Sequence, residues 1–164
     1  MKTIPSNILK NANSVETVSI SSTTVTVGAS AFYSCSSLKK VSLPSTTTTI
    51  NTYAFYGCKN MTSFTMSSNI KTIGKYAFKN CSKVEKITLY KTIVSIGDGA
   101  FTNDSKLTLL VYANSKGKAY ARAKKLKWDY TSSEKKRRAA NKKIYDNYLA
   151  KVTAGDKNKY KLKY

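Results

Sequence analysis

Three cysteines, Cys35, Cys58 and Cys81, are the residues whose type and spacing first invite chemistry, and each stands 23 residues after the last. A zinc site or redox pair needs thiols converging on one point. Here there is no C-x-x-C spacing, and the chain contains no His to complete a metal set. A constant interval of 23 reads instead as one small buried hydrophobe, repeated because its surroundings repeat. Stacked repeats bring neighbouring Cα atoms within disulfide range, but an odd count of identically oriented thiols argues against pairing. The lack of His also removes the commonest general base and triad partner. Glu85 and Asp98 are isolated carboxylates, and no Gly-x-Ser-x-Gly elbow, P-loop or dinucleotide fingerprint occurs. The expectation is a non-enzyme with no cofactor, no metal and no small-molecule substrate.

The elements that carry the cysteines repeat with them. Ala-Phe recurs at Ala31-Phe32, Ala54-Phe55, Ala77-Phe78 and Ala100-Phe101, at intervals of 23. Four residues earlier stand Val27, Ile50, Ile73 and Ile96; seven after each Ala stand Leu38, Met61, Val84 and Leu107. The columns Val41, Phe64, Ile87, Leu110 and Leu43, Met66, Leu89, Tyr112 follow, all read as inward with no insertion. A fixed period in this range marks stacked coils. Ile4, Val15, Val18 and Ile20 keep the register backwards, with Ile8-Leu9 in place of Ala-Phe, so five coils begin near residues 4, 27, 50, 73 and 96. Leu38-x-x-Val41-x-Leu43 has the alternation of a strand, and strands of successive coils should pair in parallel, about 4.8 Å apart. Gly28, Gly74 and Gly97, with Asn51 in the remaining coil, precede the Ala-Phe turn, where positive φ or close backbone approach is easiest for Gly. The Ala suits a tight contact between coils, and the Phe rings should stack along the coils.

The string Ile73-Gly-Lys-Tyr-Ala-Phe-Lys-Asn-Cys-Ser-Lys-Val-Glu-Lys-Ile-Thr-Leu89 resembles the BspA-type leucine-rich repeat, whose pattern runs I-G-x-x-A-F-x-x-C-x-x-L-x-x-V-x-L-P; Pro44 supplies the final proline in one coil. The resemblance covers about residues 4 to 130. It implies an α/β solenoid, a right-handed leucine-rich-repeat stack of about five 23-residue coils with a parallel sheet. It also implies a non-enzymatic surface or secreted protein concerned with adhesion and protein binding. The departures are the degenerate first coil, Asp104 in the last position of the cysteine column, and an N-terminus with no apolar signal-peptide core.

A stack exposes its last coil and needs a cap. Residues 115–130 suit it: Ser115 or Asn114 can start a short helix to about Lys127, with Ala119, Ala123 and Leu126 as its apolar stripe, and Trp128-Asp-Tyr130 reads as a strand end. The solenoid with its cap thus takes residues 1–130. Residues 131–164 form a second segment, a basic helix plus a strand. Its helix is read over 134–152, with Ser132 or Ser133 as N-cap, Ala140, Ile144, Tyr148 and Val152 on one face, Tyr145 and Leu149 beside it, and Gly155 as the stop. Tyr160, Leu162 and Tyr164 alternate with lysines as a half-buried strand would, so this segment reads as the opening of a further domain or as a strand that adds to another molecule.

Twenty-nine Lys and Arg against eight Asp and Glu give a net charge of +21, with 17 basic and 4 acidic residues from Ala113 onward. Such a field favours acidic proteins, polyanions or anionic surfaces. Two surfaces are candidates. The outward strand positions Lys40, Ser42, Ser63, Thr65, Lys86, Thr88 and Tyr90 form a polar, basic ladder suited to an extended or acidic protein partner. Alternatively Lys135, Lys136, Arg137, Arg138, Lys142 and Lys143 bind a polyanion such as nucleic acid, a glycosaminoglycan or anionic lipid. No run is long enough for a transmembrane helix. The residues themselves leave the compartment open, and a cell-surface or secreted location is what the family resemblance implies.

Overall fold

The computed structural model describes residues 2–153. The expected strand at Tyr160, Leu162 and Tyr164 and the helix stop at Gly155 lie outside the described residues. The chain forms two compact units, divided between Asp129 and Tyr130.

The first unit runs β1 (Lys2–Ile4), β2 (Thr24–Val27), β3 (Lys40–Ser42), β4 (Thr49–Ile50), β5 (Ser63–Thr65), β6 (Thr72–Ile73), β7 (Lys86–Leu89), β8 (Ser95–Ile96), β9 (Thr108–Val111) and α1 (Lys116–Ala123). β10 (Trp128–Tyr130) straddles the division, and α2 (Ser132–Thr153) belongs to the second unit. Each complete coil contributes two short strands. The largest sheet holds the β-branched segments ahead of the Ala-Phe turn, in the parallel order β1-β2-β4-β6-β8. Its register follows the repeat, Thr26↔Thr49↔Thr72↔Ser95 and Val27↔Ile50↔Ile73↔Ile96. The L-x-x-L-x-L segments, where a single sheet is expected, form two separate ladders, β3 with β5 and β7 with β9.

At the turn, backbone hydrogen bonds pass from each coil to the next. Ser30, Phe32 and Ser34 N–H donate to the carbonyls of Thr52, Ala54 and Tyr56 at 3.0, 2.8 and 2.7 Å. Tyr53, Phe55 and Gly57 repeat the pattern onto Lys75, Ala77 and Lys79, and Tyr76, Phe78 and Asn80 onto Asp98, Ala100 and Thr102. The first coil joins it: Asn7, Leu9 and Asn11 donate to Ala29, Ala31 and Tyr33, so it stacks despite lacking Ala-Phe. Ala31, Ala54, Ala77 and Ala100 are fully buried. Any larger side chain would force the coils apart and stretch these bonds. Behind them Phe32, Phe55, Phe78 and Phe101 stack face to face, centroids 5.1, 5.4 and 5.3 Å apart, with Phe64 edge-on to Phe55 and Phe78.

The glycine column works by close approach. A Cβ on Gly74 would lie 2.4 Å from Thr52 N, and φ there is not positive. Asn51, in the same column, is likewise not left-handed, so its tolerance of positive φ does not account for it. Left-handed backbone falls two residues later, at Ser30, Tyr53, Tyr76 and Gly99.

The last coil departs from the expected register. Ile87 pairs with Leu109 and Leu89 with Val111, a spacing of 22, and Leu109 and Val111 are fully buried. Leu110 and Tyr112, read from the sequence as inward, are only half-buried. Strand side chains alternate with period two, so one missing residue moves the whole set to the other face.

The cap helix starts where expected but ends at Ala123 rather than near Lys127, and it buries a different stripe. Ser115 is the N-cap, its Oγ accepting from Lys118 N–H at 3.2 Å. Ala119 and Ala123 are exposed; Gly117 and Ala121 are the buried positions, Gly117 lying against Leu89. Tyr120 ends the ring stack, edge-on to Phe101 at 6.1 Å, its hydroxyl accepting from Ala100 N–H at 3.1 Å. In α2, Thr131 rather than either serine is the cap, its Oγ1 accepting from Glu134 N–H at 3.2 Å. Ala140, Ile144, Tyr145 and Leu149 are exposed on this helix.

Replacing Phe78, in the middle of the ring stack, with Ala is expected to cost about 3–5 kcal/mol. The loss should be shared with the coils on either side, because a coil cannot bury its own apolar face. Urea unfolding read by tyrosine fluorescence measures the cost, and amide exchange at Phe32 and Phe55 shows whether it spreads.

Candidate functional site

Residues of the strand ladder alternate in and out, so each outward position is set by its inward neighbours Val41, Phe64 and Ile87, all buried. Lys40 lies directly across from Ser63 and Ser42 from Thr65, which makes four of the candidate residues one paired, exposed patch. Lys86 and Thr88 belong to the second ladder, opposite Thr108 and Leu110. Tyr90 stands beside Tyr112, ring centroids 6.2 Å apart, and Lys91 places its ammonium 5.5 Å over the Tyr112 ring. The register slip is what turns Leu110 and Tyr112 outward. Sequence reading left both out of this surface, because each fits the apolar columns equally well.

In the second unit the six basic candidates do not share one face, since Lys135, Lys136, Arg137 and Arg138 are consecutive on a helix. Arg137 grips the buried carboxylate of Glu134 through two nitrogens at 3.2 and 2.6 Å, and that hydrogen-bonded charge raises the guanidinium pKa further. Lys142 pairs with Asp146 at 2.6 Å, and Arg138 lies 4.6 Å over the Tyr130 ring. Lys136 and Lys143 are exposed. Arg137, Arg138 and Lys142 are thus engaged within their own unit.

The cysteine column is structural. Cys35, Cys58 and Cys81 are buried thiols, donating to the carbonyls of Leu9, Phe32 and Phe55 in the preceding coil at 2.9, 3.2 and 3.1 Å. Burial pushes the Cys35 thiol up to about 11 and the Cys81 thiol well above its ordinary value, so neither supplies a nucleophilic thiolate near neutral pH. Among the described residues, no three of the Cys, Asp and Glu side chains gather to hold a metal ion.

Asp104 occupies the fourth level of this column. Its Oδ1 accepts from Cys81 N–H at 2.6 Å, while Oδ2 is buried without a partner. It borders a hollow of about 480 Å³, shared with Leu107, Leu109, Lys125 and Lys127. Burial pushes its carboxyl up to about 7, against the lowering effect of the Cys81 N–H. At the other three levels a thiol occupies this position and donates to the preceding coil.

A further surface escaped the sequence reading altogether. Tyr33, Tyr53, Tyr56 and Tyr76 gather beside the Ala-Phe turn with Lys10 and Lys79, around a groove of about 460 Å³. The available signal was the recurrence of Tyr at intervals of 23 in two columns.

The profile of the family described as the BspA type leucine rich repeat region matches residues 2–123 as six copies, one more than the five coil starts counted from the columns. No curated protein matches the chain. A leucine-rich repeat protein of Treponema pallidum superposes with a TM-score of 0.64 at 24% identity, over 65% of this chain and 50% of that one. One from Bacteroides ovatus gives 0.63 at 30% identity, over 66% and 28%. A leucine rich cell surface protein of Faecalibacterium prausnitzii gives 0.59 at 22% identity, over 73% and 34%. The chain therefore spans half or less of each of these proteins.

The buried carboxyl sets a pH dependence. Asp104 holds its proton to about pH 7 in the folded chain and releases it near its ordinary value, 3.8, when unfolded. The stability it contributes is present below about pH 4 and is lost as pH rises through 7, by at most about 1.4 kcal/mol per unit. With no His in the chain, little else titrates in that window. Thermal melts of the wild type should therefore fall in Tm by several degrees between pH 5 and pH 8, and Asp104→Cys should flatten the profile.

Proposed function

The chain belongs to the BspA-type leucine-rich repeat family, and on that premise we propose that it is a non-enzymatic, adhesin-like scaffold that binds an extended or acidic protein along its strand face. The observation that carries this reading is the paired, outward array of Lys40, Ser63, Ser42 and Thr65, held by backbone hydrogen bonds between coils. A partner meeting a fixed array loses its own freedom but does not have to order the scaffold, which keeps the entropic cost of association low. Lys40 and Lys86 are exposed, and within a chain of net charge +21 they favour partners of opposite sign. Tyr90 with Tyr112 adds the amphipathic rings that commonly anchor protein contacts.

Family membership suggests a protein-interaction scaffold and surface association. A position at the cell surface or outside the cell is part of the proposal, supported by that membership and by the similarity to the Faecalibacterium cell surface protein. Binding of a polyanion through Lys135, Lys136, Arg137, Arg138, Lys142 and Lys143 is the weaker reading, because Arg137 and Lys142 are already paired with carboxylates.

The test is binding of the full chain to a panel of immobilised extracellular-matrix proteins. Replacing Lys40, Lys86 and Tyr90 together with Ala should weaken binding about tenfold, roughly 1.4 kcal/mol, with the melting temperature unchanged. Unaltered binding by the triple variant would remove the strand face from the account.

A further inference from the structure

The positions flanking Ala-Phe form two columns on the turn face. The residue before Ala is Ser30, Tyr53, Tyr76 and Gly99 in successive coils; the residue after Phe is Tyr33, Tyr56, Lys79 and Thr102, with Lys10 one coil earlier. The first column is left-handed throughout, with φ of 53°, 59°, 56° and 63°. Gly accepts that conformation without cost, whereas a bulky ring there is an outlier. Strain of this kind is retained where the side chain is used.

The rings form one cluster. Tyr33 and Tyr56 stack at 4.8 Å with planes 4° apart; Tyr53 stands edge-on to both, at 6.2 and 5.7 Å, and lies 5.3 Å from Tyr76. Cations close both ends. Lys10 sits 5.4 Å over Tyr33, while Lys75 and Lys79 each sit 5.0 Å from the centre of Tyr76. Asn80 donates to the Tyr56 hydroxyl at 3.2 Å and holds that phenol in place. The groove of about 460 Å³ has no carboxylate in its lining.

Such a lining selects its ligand by chemistry. Ammonium groups at both ends demand negative charge, and phenol hydroxyls between them supply hydrogen bonds. Tyr33 and Tyr56 each give one face to the other, and lysines sit over Tyr33 and Tyr76, which leaves less open ring face for an unstacked base and disfavours single-stranded nucleic acid. The columns advance by one coil per step, a repeat comparable to one pyranose ring in an extended chain. We propose that the turn-face groove binds an anionic glycan, a segment of uronate-bearing or sulfated sugars, with Lys10 and Lys79 holding the anionic groups and the tyrosines the sugar hydroxyls. The site lies apart from the strand face and does not depend on the protein-binding reading.

The experiment measures affinity of the full chain for a heparin-derived octasaccharide, an oligogalacturonate, a neutral dextran oligosaccharide and an oligothymidylate. Two charge-matched variants are compared, Lys10→Gln/Lys79→Gln in the groove and Lys136→Gln/Lys143→Gln in the tail. A third, Tyr53→Gly/Tyr76→Gly, removes the rings at positions whose backbone suits Gly. The groove and ring variants should each weaken binding of an anionic sugar about tenfold or more, while the tail variant changes it little and dextran does not bind. Heparin carries carboxylate as well as sulfate, so binding of the oligogalacturonate shows that carboxylate suffices, and binding of the heparin fragment alone shows that sulfate is required. Equal weakening by the groove and tail variants, groove-dependent binding of oligothymidylate, equal binding of dextran, or no binding of either anionic sugar would each overturn the proposal.

Discussion

Each coil is tied to the next by backbone bonds at the Ala-Phe turn, and the rest of the solenoid depends on their length. Bonds of 2.8 Å from Phe32, Phe55 and Phe78 to the carbonyls of Ala54, Ala77 and Ala100 hold the coils at the separation at which phenylalanine rings stack. Each Ala is fully buried at this contact, and a larger side chain there would press the coils apart. The 23-residue period follows from the same constraint. A coil that gained or lost a residue before the turn would deliver a different carbonyl to the ladder.

One coil does lose a residue, and the place it does so is instructive. The deletion follows Leu107, after the turn ladder has closed, so the ladder is untouched and only β9 changes face. Leu109 and Val111 enter the core in place of Leu110 and Tyr112. At the same end Tyr120 takes over the role of the next ring, and Asp104 stands where the next thiol would be. The end of the stack is therefore built from substitutes for the missing coil. The carboxyl is the substitute that does not fully succeed, since one of its oxygens stays without a partner.

Much of this was legible in the sequence because the repeat states each requirement four times. The Ala-Phe column, the buried cysteines and the degenerate first coil were visible in spacing, and the capping helix in its start at Ser115 or Asn114. The slip in β9 was not, because Thr108-Leu-Leu-Val-Tyr112 is apolar at both parities and satisfies either register. The placement of the main sheet was missed for a related reason: two-residue strands such as β4, β6 and β8 show no alternation to count. Surface features were the least legible. Tyr53 and Tyr76 are half-buried and pack on other surface rings and lysines rather than in the core, and the backbone conformation shows that rings there are costly. Likewise the ion pairs of Arg137 and Lys142 could not be read from a run of basic residues.

The turn ladder, which like the five-stranded sheet runs through every coil, holds the coils together more than the separate β3–β5 and β7–β9 ladders do. Amide hydrogen exchange resolved by NMR tests it most directly. The amides of Phe32, Phe55 and Phe78 should exchange only through global unfolding, at least as slowly as those of Val41 and Phe64 in the β3–β5 region. If the Phe amides exchange quickly through local opening while those of the strands stay protected, the turn does not hold the coils together and the account is wrong.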